Sequence, residues 1–145
     1  MPAEILFQKL LFVNFFMIHE QKTRLALQAL RIGLGLIFLW AFVDKVFGLG
    51  FATEAGKAWI DGVSPTTGFL RFGVHGPFAL FFQALAGKVV VDYLFMFGLL
   101  GIGAGLTFGI RIREACVSGI TMLMLMWLAL LPPEHHPFLD EHVIY

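Results

Sequence analysis

Residues 90–110, VVDYLFMFGLLGIGAGLTFGI, carry a single charged side chain, Asp92. As a helix this stretch reaches about 31 Å, close to the roughly 30 Å hydrocarbon core of a bilayer. Lipid offers no hydrogen bonds to a peptide group, so a run this apolar satisfies its backbone internally, as a helix. Two further runs have the same character: 25–47, LALQALRIGLGLIFLWAFVDKVF, and 115–131, ACVSGITMLMLMWLALL. The expected fold is all-α, a polytopic membrane helical bundle whose main partner is the lipid bilayer.

Composition supports this. Hydrophobic residues make up 59% of the chain and charged residues 14%, against about 25% in an ordinary soluble domain. The mean hydropathy is +0.84. A formal net charge of +0 gives no basic stripe of the kind nucleic acid requires. The lone Cys116 excludes an internal disulfide and any cysteine-rich metal site. Glu4 and Glu20, with no small-residue cleavage pattern, do not fit a secretory signal peptide, so insertion is expected to be driven by the helices themselves.

Charges and turn residues divide the chain. Residues 5–18, ILFQKLLFVNFFMI, are too short to span comfortably and read as an interfacial helix or one folded back on the bundle. This predicts an amphipathic N-terminal extension at 1–21 and a transmembrane domain at 22–145. Residues 48–88 hold Trp59, the turn string GVSPTTG and His75-Gly76-Pro77. They predict a structured outer loop with short helices at 52–60 and 77–86, Pro77 suiting a first helical turn. Pro132-Pro133 stop the third run. His142-Val143-Ile144-Tyr145 reads as the first turn of a fourth span, starting near 141 and apparently truncated. Arg111 and Arg113 in the short loop 110–114 place that loop and the N-terminus in the cytoplasm, with 48–88 and 132–142 external.

Four charged groups sit at or within span ends: Arg31, Asp44, Lys45 and Asp92. Isolated charges there are costly, so an ion pair between Lys45 and Asp92 would explain both. Solvated ends, or a site for a substrate or quinone headgroup, are the alternatives. Arg31 lies deeper than anchoring demands, with only 12 uncharged residues between it and Asp44, and suits a lipid phosphate or a quinone oxygen. Gly98, Gly101, Gly105 and Gly109 form a small-residue ridge for close helix packing. Glu134, His135, His136, Asp140, Glu141 and His142 are dense enough to suggest a metal cluster. They form neither HExxH nor HxH, so a polar loop or a helix cap led by Asp140 is the simpler reading, and no metal is expected. His75 and Cys116 are single residues with no partner motif. With no haem, nucleotide or dinucleotide motif, redox work would need a diffusible cofactor such as quinone, and none is bound covalently.

The strings RIGLGLIFLWAFVDKVFGLG at 31–50, AWIDGVSPTTGFL at 58–70, LAG at 85–87, DYLFMFGLLGIGAGLTFGI at 92–110 and MWLALLPPEHHPFLDEHVIY at 126–145 resemble the DoxX/DoxD family of small bacterial and archaeal membrane proteins. The resemblance covers most of 25–145. It implies a four-helix bundle in the plasma membrane and kinship with the large membrane subunit of a thiosulfate:quinone oxidoreductase, which works with a separate small subunit. Arg31, Asp44, Lys45, Asp92 and the segment Pro132–His142 stand at the recognisable polar positions. The expected function is an integral subunit or anchor of a redox or respiratory complex, with quinone as its possible cofactor and another protein subunit as partner. A non-catalytic envelope or transport-related membrane protein is the alternative. A carrier predicts a water path lined by polar groups; an anchor predicts a dry glycine seam.

Overall fold

The computed structural model describes residues 3–131, with side chains from Glu20 onward. All regular structure among them is helical: α1 (Ala3–Phe47), a 3-10 turn (Trp59–Asp61), a π-turn (Phe69–Gly73), α2 (Ala79–Gln83), α3 (Val89–Phe108) and α4 (Ile112–Ala129). Three helical stretches are long and apolar enough to cross a membrane: Glu20–Phe47, Val89–Phe108 and Ile112–Ala129. They support a multi-pass membrane protein.

The N-terminal segment differs from the expectation of a separate interfacial helix. It is the first part of α1, which runs without interruption from Ala3 to Phe47. The polar string HEQKTR at 19–24 resembles a break only when the lipid is taken as the sole reason for a helix. These side chains are compatible with helix, and Glu20 accepts from Arg24 one turn on at 2.6 Å. Gly48, at φ 62°, ends α1 in a left-handed conformation that other residues adopt with strain.

α3 is the middle helix. Within the three spans the buried share is 39% for α3, 17% for α4 and 6% for α1, so α3 is flanked and its neighbours are open. α1 and α3 run antiparallel with almost no space between them. A Cβ on Gly103 would stand 2.8 Å from the Leu39 nitrogen, and one on Gly35 2.7 Å from the Thr107 nitrogen. Dispersion between backbones this close holds helices together where apolar burial alone gains nothing over lipid.

α3 and α4 form a hairpin through Gly109–Arg111. Gly109, at φ 73°, turns its N–H onto the Gly105 carbonyl, and Arg111 also has positive φ, 48°. The ridge expected from sequence is only partly a packing surface. Gly105 meets Ala115 and Gly98 meets Met122, but Gly101 has nothing within 4 Å and faces an open groove of about 370 Å³. Gly109 is the helix cap.

Residues 48–88 close one end of the bundle. The short helices fall at 59–61, 69–73 and 79–83 and not over 52–60 and 77–86. Leu70, Val74 and Phe82 form a small core with Ala129, and the His75 N–H donates to the Ala129 carbonyl at 3.3 Å. The cap therefore bears on the end of α4 as well as following α1 and preceding α3.

Candidate functional site

The capped end gathers the C-terminus of α1, the N-terminus of α3 and the C-terminus of α4. Asp44 and Asp92 are both buried there, at 1% and 6% exposure. The Lys45–Asp92 ion pair expected from sequence is not formed: each group has a different partner.

Asp44 stands in the last turn of α1, where exposed carbonyls disfavour an anion. The cap supplies the compensation. Phe51 N–H donates to Oδ1 at 3.3 Å and Thr53 N–H to Oδ2 at 2.8 Å, so the chain leaving the helix folds back over the carboxylate. Asp92 lies in the first turn of α3, where the dipole favours it. Its Oδ1 accepts the Ser64 hydroxyl at 2.8 Å and the buried Thr66 hydroxyl. Ser64 Oγ in turn accepts the Thr67 N–H at 3.1 Å and the Thr67 hydroxyl at 2.7 Å. The Ser-Pro-Thr-Thr turn is thereby pinned to α3.

Lys45 reaches the Phe95 ring, its Nζ 6.0 Å from the centroid, at the outer edge of cation–π range. Trp59 meets Tyr93 edge-on at 5.2 Å, and Trp40 meets Phe51 in the same way at 5.2 Å. With Trp127 in the last turn of α4, every described Trp and Tyr lies toward this end, as in the aromatic belt of a membrane–water interface. On the cap's outer surface, Lys57 donates to Glu54 at 2.7 Å and holds that carboxyl below its usual range.

Arg31 belongs to the opposite end. It lies against Gly109, where a Cβ would stand 2.7 Å from Nη1, and its Nε is buried with no hydrogen-bond partner. The four charged candidates therefore form no single site: Asp44, Lys45 and Asp92 share one end, and Arg31 is apart. His135, His136, Asp140, Glu141 and His142, and the expected start of a fourth span, lie outside the described residues. Among the described residues no three His, Cys, Asp or Glu side chains come together as a metal site. Ser64, Thr66, Phe51 and Thr53 were not singled out from sequence. The turn string around Ser64 was visible, but its bond to a carboxylate 28 residues away is purely tertiary.

The chain matches no protein-family model, no curated protein and no solved structure.

Proposed function

We propose that this chain is a membrane-embedded anchor, a subunit that positions a partner at its capped end and carries little chemistry of its own. The observation that supports this most is the use made of the two buried carboxylates. Asp44 accepts two backbone N–H groups and Asp92 two hydroxyls, so both hold the cap in place. A general base needs a lone pair directed at a substrate, and both oxygens of Asp44 and Oδ1 of Asp92 are instead turned to the chain's own loop. The α1–α3 seam, closed through Gly35 and Gly103, fits the dry packing expected of an anchor better than the polar water path expected of a carrier.

In the redox version suggested by the DoxX/DoxD resemblance, the anchor belongs to a bacterial or archaeal plasma-membrane complex. The partner subunit supplies the electrons, and quinone approaches from the bilayer. The capped end then faces outward, because the short hairpin carrying Arg111 and Arg113 favours the cytoplasm.

The test is quinone reduction by the full chain in proteoliposomes, alone and with its native partner. The chain alone is expected to give no turnover, and Lys45→Ala is expected to leave the complex within about fivefold of the parent, since a single peripheral cation–π contact is worth about 0.5–1 kcal/mol. Turnover by the isolated chain, or a tenfold loss in Lys45→Ala, would overturn the anchor reading.

A further inference from the structure

We propose that Arg31 is a binding site for a phosphate group, placed at the hairpin end of the bundle and distinct from the capped end. Arg31 is only partly exposed. Its guanidinium lies over Gly109, in space open only because that residue has no side chain. The end of α3 beneath it, with its unpaired carbonyls, favours a cation there. Yet the buried Nε has no acceptor, and no ion pair reaches Arg31 among the described residues. A guanidinium carries five N–H donors in a rigid fork, so a half-buried one without an acceptor is incomplete.

Among the described side chains the two carboxylates on this side are engaged elsewhere, Glu20 by Arg24 and Glu114 by Arg111. Among the described side chains the basic residues here are Lys22, Arg24, Arg31, Arg111 and Arg113, against Glu20 and Glu114, an excess of three positive charges. At the capped end, among the described residues, Lys45, Lys57, Arg71 and Lys88 are matched by Asp44, Glu54, Asp61 and Asp92. Gln21, Arg24 and Gln28 precede Arg31 at spacings of three, four and three, which puts them on the same face of α1. The α1 face that packs on α3 thus continues past the hairpin as a row of donors.

The missing acceptor is an anion from outside the chain. The hairpin marks one end of two helices about 30 and 27 Å long, the depth at which lipid phosphates begin. Phosphate matches the guanidinium fork with two parallel hydrogen bonds. The ligand is a phosphodiester headgroup or a free phosphate, recognised by the same geometry. Arg31 binds it irrespective of what the capped end holds.

The experiment is native mass spectrometry of the full chain in detergent, with phosphatidylglycerol, with diacylglycerol of the same chains, and with phosphatidylglycerol plus inorganic phosphate as competitor. Phosphatidylglycerol is expected to be retained and diacylglycerol lost. Arg31→Gln is expected to lower retention about tenfold and Arg31→Lys about threefold, because the charge without the fork recovers only part of the bond. Arg113→Gln, with its exposed side chain, is expected to change retention less than twofold. Displacement by inorganic phosphate at equal concentration, still dependent on Arg31, would support the site and assign it to the free anion. Equal retention of diacylglycerol, or unchanged retention in Arg31→Gln, would overturn it. Should Arg31→Gln not fold, unchanged retention in Arg31→Lys would do the same.

Discussion

The two ends of the bundle treat buried charge in opposite ways. At the capped end, Asp44 and Asp92 are met by four donors from the chain's own loop. At the hairpin end, Arg31 is partly buried and its Nε has no acceptor. A charge satisfied from within is a fastening, since removing it leaves the loop's donors stranded. A charge left unsatisfied depends on its surroundings. In a protein this poor in charged residues, both conditions are informative: one end is built to be rigid and the other to be completed by something else.

The contrast can be tested by substitution. Asp44→Ala should have the largest effect, a loss of about 3 kcal/mol, because two hydrogen bonds to a buried carboxylate disappear and two N–H groups lose their acceptor. Unfolding in detergent and protease cleavage within 48–67 would both report it, with cleavage rising at least tenfold. If the cap resists protease as before, the carboxylate is not a fastening and the contrast fails. Gly103→Ala comes next, at about 2 kcal/mol, since the added methyl meets the α1 backbone, which cannot move aside like a side chain. Because the seam lies between the ends, its loosening should raise hydrogen exchange at both. An effect confined to the cap would show that the ends are independent units. Arg111→Gly should be smallest and opposite in sign, a gain of about 0.5–1 kcal/mol from relieving positive φ at a residue with a Cβ. Phosphatidylglycerol retention should then stay within about twofold, as Arg111 is not the fork that grips the phosphate.

How far the sequence disclosed this arrangement depended on the kind of signal. The three spans were legible because apolar runs of this length have few other solutions, and the charges at 44, 45 and 92 marked span ends correctly. The partners of those charges were not. Phe51 and Thr53 hold Asp44 through backbone N–H groups, which leave no trace in residue identity. The four-residue glycine period drew attention to Gly101, which is open, whereas the tight contacts of α1 use Gly35 and Gly103. Periodicity identifies a face of a helix but not which neighbour covers it. The unbroken α1 was hidden by a polar string that lowers hydropathy without lowering helix propensity.

α1 does not stop where its neighbours do. Arg31 is level with the hairpin, so residues 3–30 carry the helix about 40 Å beyond the turn that joins α3 to α4. A continuous helical rod of that length acts as a lever. A tilt of about 5° at the Gly35 and Gly103 fulcrum would sweep its far tip through about 4 Å, while the capped end, on the short arm, would shift by less than half as much. Force applied to the distal arm would thereby be delivered to the seam, and a small rocking of the seam would become a large excursion at the far end of α1.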